Sequence, residues 1–191
     1  IDFNHNIQIE ISRQGSKKVF LNDCLLRKQS LIKNYLRSVC FSSNDINIVK
    51  SEPNFRRIWL DKVVAQLEPV YVELLGRYYK LLKQRSHYWR SKISTEYSAL
   101  IESYDSQIAL VGTRIFRRRK RALRKLQPYI VFWHDHLSKS KENIGIKFIS
   151  SLDSLDENDD ESKIMLLFTE KLIAQRKLEE VTGKCSVGPH R

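Results

Sequence analysis

The rhythm of apolar and polar residues changes along this chain, and each rhythm points to an element. Near the start Ile7, Ile9 and Ile11 alternate with Gln8, Glu10 and Ser12, and RQGS supplies a glycine-containing turn before the run Lys17 to Leu21. That pattern predicts a β-hairpin. Leu25 to Leu36 has helical spacing, and the short β-prone run SVCF at Ser38 to Phe41 reads as a buried strand. From Ser51 the period lengthens. Ser51 is a capping residue, Pro53 is tolerated in a first helical turn, and Phe55, Ile58, Trp59, Val63 and Leu67 recur every three or four positions. Pro69 then opens a longer helix with a stripe of Val70, Tyr71, Leu74, Leu75, Tyr78, Leu81 and Leu82.

A polar break around Ser91 to Thr95 allows the chain to reverse. Helical spacing resumes at about Ala99 and runs through RIFRRRKRALRKL, Arg114 to Leu126, with Pro128 expected to kink or end the helix before an apolar turn at Ile130 to Trp133. Further on, IGIKFISSL alternates as a strand should. DSLDENDDES is too acidic to pack and is expected to be a solvated loop or disordered, and Ile164 to Glu180 reads as an amphipathic helix closed by Gly183. The result is an α+β fold, predominantly α. Its parts are a mixed segment at 1–50, a lobe of long antiparallel helices at 51–140, and a strand, acidic loop and helix at 141–191.

Composition narrows the class. With 191 residues, 41% hydrophobic and 10% aromatic, the chain can bury one sizeable core or two small lobes. No apolar run approaches the roughly 20 residues of a membrane span. Cys24, Cys40 and Cys185 are odd in number and widely spaced, which fits neither a disulfide framework nor a metal knuckle and points to a reducing, intracellular compartment. The chain starts at Ile1 without a methionine or signal-like core and stops at Arg191 just after GPH, so it reads as a piece of something longer.

Charge adds the main functional clue. The net charge is +12, and between Asp105 and Asp135 there is no acid, while Arg114, Arg117, Arg118, Arg119, Lys120, Arg121, Arg124 and Lys125 supply eight positive charges. On a wheel of about 100° per residue, Ile108, Val111, Ile115, Ala122 and Leu126 share one side, flanked by Phe116 and Leu123. Arg114, Arg117, Arg118, Arg121, Arg124 and Lys125 fall on the other, and these six are the candidate DNA-binding residues. The plain alternative is a packed helix with a wet back. Ordinary wet faces mix signs, however, and a one-sign stripe repels itself. Nucleic acid, an acidic partner protein or anionic lipid could each answer that charge, in that order of preference. Six to eight phosphate contacts would give a log–log salt slope of about −5 to −7, with no base-reading pattern. Arg119 falls in the middle of the apolar face, where it needs a carboxylate partner.

Catalytic patterns are scarce. G-x-x-x-x-G-K-[ST], G-x-S-x-G and H-E-x-x-H do not occur. His134 and His136, two apart on a helix, point about 200° apart and make a poor metal pair. Asp153, Asp156, Glu157, Asp159, Asp160 and Glu161 lack an apolar frame that would fix an acid and a base. No catalytic or metal-binding residue is assigned.

The order of motifs then becomes informative. CFSSNDINIVKSEPNFRRIWLD at Cys40 to Asp61, LLKQRS at Leu81 to Ser86, YDSQIALVGTRI at Tyr104 to Ile115 and GPHR at Gly188 to Arg191 resemble the middle of the RecF family of bacterial recombination mediators. Phe41, Ser42 and Asp45 match the first block, while Ser43 and Asn44 replace its proline and glutamate. Arg56, Arg57, Leu60 and Asp61 match the second, with Trp59 for phenylalanine. Lys83, Gln84 and Arg85 match the third, with Ser86 for asparagine. Asp105, Gln107 and Gly112 match the fourth, with Tyr104 for tryptophan.

The resemblance implies an SMC-like, ABC-type ATPase head and an ATP-dependent homodimer. It implies binding to DNA at gaps and junctions, work with RecO and RecR to load RecA, and a role in replication, repair, recombination and the SOS response in the bacterial cytoplasm at the nucleoid. ATP and magnesium would serve the whole protein. Its phosphate loop lies upstream and its signature and acidic motifs downstream, so this piece alone should have no ATPase activity. On this view 1–50 ends the ATP-binding lobe and 141–191 returns to it. Arg56 and Arg57 oppose the dipole at a helix start, so they face Asp61 or bound DNA. Lys83, Arg85 and Arg119 are likewise candidates for DNA contact or structural ion pairing.

Overall fold

A computed structural model describes residues 4–28, 31–32, 35–91, 99–139, 141–152 and 158–190. The backbone divides into two compact units, Ile1–Lys50 and Ser51–Arg191, so the segments 51–140 and 141–191 fall within one unit.

In the first unit, β1 (Ile7–Ile11) pairs antiparallel with β2 (Lys17–Leu21), Ile9 opposite Val19, and β2 pairs with β3 (Cys24–Leu25). The first turn closes through the Ser12 amide, which donates to the Ser16 carbonyl at 2.9 Å, with Gly15 at φ 83°. The second places Asn22 and Asp23 at φ 48° and 63°, the two consecutive left-handed residues of a primed hairpin turn, which Asn and Asp tolerate. That hairpin corrects the expected helix over Leu25 to Leu36. Leu25 belongs to β3, the Leu26 amide donates to the Val19 carbonyl, and no α-helix forms among the described residues of the stretch. The strand expected at Ser38 to Phe41 is also absent. Val39 is 97% and Phe41 92% exposed, and neither joins the sheet β1-β2-β3. A short 3-10 turn, Ser43–Ile46, follows and is capped reciprocally, the Ser42 amide donating to Asp45 Oδ2 at 2.6 Å; it leads into α1 (Asn47–Lys50).

The second unit holds α2 (Pro53–Leu67), α3 (Val70–Ser91), α4 (Ala99–Ser138), α5 (Glu161–Ala174) and α6 (Arg176–Thr182). Pro53 sits in the first turn of α2, where its missing amide costs nothing, and Glu52 rather than Ser51 holds the cap position. The polar break expected between α3 and α4 falls mostly outside the described residues. Arg85 meets Asp105 and Tyr71 meets Arg119, so α3 and α4 run antiparallel. Leu60, Val64, Tyr71, Tyr78, Leu82, Ile108, Val111, Ile115, Phe116, Phe168 and Leu172 form one buried core. Gly112 lets α5 approach closely, because a β-carbon there would collide with the Phe168 ring.

Three sequence expectations change here. α4 passes through Pro128 and continues to Ser138, so Ile130 to Trp133 are helical rather than a turn. The amide lost at proline lies on the exposed end of the helix, with Tyr129, Phe132 and Trp133 each more than half exposed, and the buried length upstream holds the rod. IGIKFISSL forms no strand: Ile146, Phe148 and Leu152 pack against the core without joining a sheet, Leu152 in a turn and Phe148 lying 5.8 Å from the Phe116 ring. Alternation reported the buried face, not the ladder. The helix expected over Ile164 to Glu180 is two, broken at Gln175, with Gly183 at φ 63° closing the second. Among the described residues no helix is long and apolar enough to cross a membrane.

Candidate nucleic-acid interface

The longest helix, α4, organises everything that carries charge. Ile101, Ile108, Val111, Ile115, Phe116, Ala122 and Leu123 bury its inner flank, and the same flank carries Asp105 and Arg119, each about 1% exposed. Arg119 has its carboxylate: Nε donates to Asp61 Oδ1 at 2.7 Å and Nη2 to Oδ2 at 2.8 Å, a two-pronged pair from α4 to α2. Tyr71 donates to the same Asp61 at 2.5 Å, and Arg119 Nη1 donates to the Pro189 carbonyl at 2.5 Å. Burial lowers the guanidinium pKa, but the Asp61 hydrogen bonds and charge, with Tyr71, outweigh it and hold Arg119 above its ordinary value. Burial pushes the Tyr71 phenol up as well, Asp61 adding to the effect and Arg119 opposing it. Asp61 is thus engaged by Arg119 and Tyr71, while Arg56 donates to the Ser51 carbonyl at 2.9 Å; the partnership foreseen for Asp61 with Arg56 and Arg57 gives way to a deeper one.

A second charged group lies about four turns away along α4, around Asp105. Arg85 on α3 is wholly buried, with Nε on Asp105 Oδ1 at 2.7 Å and Nη1 on Glu179 Oε2. Arg176 on α6 takes the other oxygen of Asp105 at 2.8 Å, and the Ser186 amide and hydroxyl donate to Glu179 at 2.6 and 2.9 Å. Two cations and two carboxylates cancel, which is what makes their burial tolerable. Arg85 also lies over the Trp89 ring, 5.7 Å from its centroid. The tail of the chain docks here: His190 Nδ1 and the Tyr78 hydroxyl share a hydrogen bond of 2.9 Å, and His190 Nε2 meets the Cys185 carbonyl at 3.1 Å. Tyr78, fully buried, is raised well above the ordinary phenol range by desolvation. Arg85, a candidate for either DNA contact or structural ion pairing, is internal and ion-paired. Sequence reading missed Arg176 and Glu179. The available signal was Asp105, a carboxylate on the apolar stripe of Ile101 and Ile108 that demanded cations from elsewhere.

The outer flank of α4 carries the six proposed DNA contacts, and they are not bare. Arg114 Nε and Arg117 Nη1 each reach a different oxygen of Glu161 at 3.0 Å. Arg118 Nε and Arg121 Nη2 each reach a different oxygen of Glu68 at 2.8 Å. Arg124 and Lys125 are exposed one turn further on. The absence of acids along α4 itself concealed this, because the carboxylates come from the C-terminal boundary of α2 and the first turn of α5. Two carboxylates against six cations leave an excess of at most four charges. Glu161 was expected in an unstructured acidic run; of that run Asn158 to Asp160 turn into α5, and 153–157 lie outside the described residues.

Elsewhere, Lys83 is exposed on α3, and His134 lies 4.0 Å from Glu142. Among the described residues no group of three His, Cys, Asp or Glu side chains is disposed to hold a metal ion.

Comparison with known proteins agrees with this architecture. No protein-family model matches the chain. The chain is 43% identical to the DNA replication and repair protein RecF of Parasynechococcus marenigrum (strain WH8102) over 194 residues, covering all of this chain and 53% of the relative. Identity to RecF of Synechococcus sp. (strain CC9605) is 44% over 187 residues, 97% of this chain and 51% of that protein.

The chain fits a fragment of RecF.

It spans about half the length of the curated RecF relatives it matches. It also overlays a solved structure of the recombination mediator protein RecF-ATPrS in the RecFOR pathway with a TM-score of 0.85, at 27% identity, covering 97% of this chain and 49% of that one. A RecF-ATP structure gives a TM-score of 0.83 at 26% identity over the same shares. The fold is therefore the α+β, mainly helical fold of this part of RecF. Within it, several of the positions that carried the family resemblance, Asp61, Arg85, Asp105, Gly112, Gly188 and His190, are internal: they make the buried ion pairs, the close α4–α5 approach and the docking of the tail. Of the six outer cations, Arg114 alone falls within a block that carried it.

Proposed function

We propose that this chain forms the helical lobe of a RecF-type repair protein, together with the adjoining end of its ATP-binding lobe, and that the outer flank of α4 contacts DNA phosphates without reading bases. In the whole protein, an ATP- and magnesium-dependent homodimer in the bacterial cytoplasm, this contact helps RecO and RecR load RecA at gaps and junctions. The observation that carries the reading is the excess of cations on α4. Arg114, Arg117, Arg118, Arg121, Arg124 and Lys125 line one flank of a rod, and among the described residues Glu68 and Glu161 answer four of them. An excess of at most four charges supports a log–log salt slope of about −4 or shallower. The test is anisotropy of a fluorescein-labelled DNA duplex against salt, with Arg117, Arg118 and Arg121 changed together to alanine. Lost binding in that variant supports the reading; binding unaltered in strength and slope overturns it.

A second reading has its own observation. The arginines already engage protein carboxylates, so the same flank suits an acidic segment of a partner protein, RecR or RecO in this family. Saturable binding to such a partner, lost in the same triple variant while DNA binds weakly even at low salt, would favour it.

A further inference from the structure

We infer that Glu68 and Glu161 occupy two phosphate-binding pockets on α4, each formed by a pair of arginines, and thereby hold the flank closed to DNA until a strand displaces them. This rests on the reading above that α4 meets DNA, and adds where phosphates sit and what competes with them.

The geometry is repeated. Glu161 spans Arg114 and Arg117, one oxygen to each, and Glu68 spans Arg118 and Arg121 in the same manner. Arginines three apart are neighbours on a helix surface, so each pair makes one cleft for one oxyanion. The second cleft begins four residues after the first, a rise of about 6 Å along the axis. Clefts at that distance can take consecutive phosphates of one strand. Carboxylate and phosphate present the same chemistry to a guanidinium, two oxygens accepting from its N–H groups, so a carboxylate seated there marks a place a phosphate can take.

The occupants are built to leave. The side chains of Glu68 and Glu161 are 35% and 38% exposed, and those of the four arginines 24% to 45%, unlike the sealed Arg85 group. Exposed pairs of this kind hold weakly in water. Glu68 is the C-cap of α2 and Glu161 the first residue of α5, so either can swing away without breaking a helix. Released, Glu161 keeps the favourable position of an anion at a helix N-terminus.

The experiment measures affinity of the full 191-residue chain for the labelled duplex at one low salt concentration. Glu68→Gln with Glu161→Gln should tighten binding by up to about tenfold, since two weak competing pairs are removed. Glu170→Gln with Glu180→Gln, on the exposed surfaces of α5 and α6, removes the same two charges away from the clefts and should leave affinity within about twofold. Arg114→Ala with Arg117→Ala should cost more in the Glu161→Gln background than in the parent, because there those arginines act without first shedding a partner. Circular dichroism confirms that each variant folds. If the glutamine variants bind no more tightly while the arginine variants bind less, Glu68 and Glu161 only join helices; the inference falls and the DNA reading stands. If no arginine variant alters binding, both fall.

Discussion

α4 wears arginine on both flanks, and the flanks teach opposite lessons. Inside, Arg119 meets Asp61, and Asp105 meets Arg85 and Arg176, all nearly sealed from water. Outside, Arg114, Arg117, Arg118 and Arg121 meet Glu161 and Glu68 at similar distances, 2.8 to 3.0 Å, in partial contact with solvent. Residue types and bond lengths are the same; exposure decides what they do. A buried pair cannot exchange partners, so it fixes the packing of helices. An exposed pair can trade its carboxylate for another anion, so it is available for binding.

The largest effect that comparison predicts is at Asp105. Asp105→Ala leaves Arg85 and Arg176 facing a buried space with Glu179 as the only remaining carboxylate of the group, and should cost about 3–5 kcal/mol. A urea titration of the chain reads this as a lower midpoint. A loss under about 1 kcal/mol would mean that the inner flank behaves as the outer one does.

Asp61→Asn comes next, with an expected loss of about 2–3 kcal/mol, because Arg119 keeps a hydrogen-bond acceptor but loses its countercharge. The same region has an alkaline signature. Tyr71 is raised above the ordinary phenol value of 10.0, chiefly by burial, and Tyr78 likewise. An unfolded chain ionises these phenols near pH 10 and the folded chain does not, so their contribution is whole below pH 10 and is lost as pH rises beyond it. Ultraviolet titration should show Tyr71 and Tyr78 ionising only as the helices melt, a step diminished in Tyr71→Phe and Tyr78→Phe.

Gly112→Ala tests packing without charge. The added carbon meets the Phe168 ring, and the expected cost is about 1–3 kcal/mol by the same urea measurement.

How much of this was legible beforehand follows from the same division. Helical period located α2 to α4 and the inner flank of α4, because burial of a stripe is a local property of spacing. The need of Arg119 for a carboxylate could be read from its place on that stripe, yet its partner lies 58 positions away and no spacing names it. Asp105 raised the same demand in the opposite sign. Turn chemistry at Asn22 and Asp23 would have revealed β3 and prevented the helix drawn through Leu25. Alternation in IGIKFISSL reflects Ile146 and Phe148 packing against the core, but a ladder requires a neighbour that alternation cannot see. The outer flank was misjudged most, since the carboxylates that neutralise part of it come from Glu68 and Glu161, on other helices.

The smallest stability effect comes from replacing arginine by lysine on the outer flank, and the sharpest use of the comparison sets it beside the same replacement inside. Lysine keeps the charge but offers a compact ammonium in place of a planar fork. On the outer flank, changing Arg114, Arg117, Arg118 and Arg121 together to lysine should shift stability by less than about 1 kcal/mol, because water and either glutamate can satisfy an ammonium there. The salt slope for DNA should be retained, since it counts charges, while affinity at fixed salt falls because the two-armed grip on each phosphate is lost. On the inner flank Arg85→Lys keeps its charge too, yet one ammonium cannot reproduce the separate Nε and Nη1 bonds that reach Asp105 and Glu179. It should destabilise the chain by several times the outer quadruple change. Equal losses on the two flanks would show that the fork, rather than exposure, sets the energetics, and the division of α4 into a structural side and a binding side would have to be abandoned.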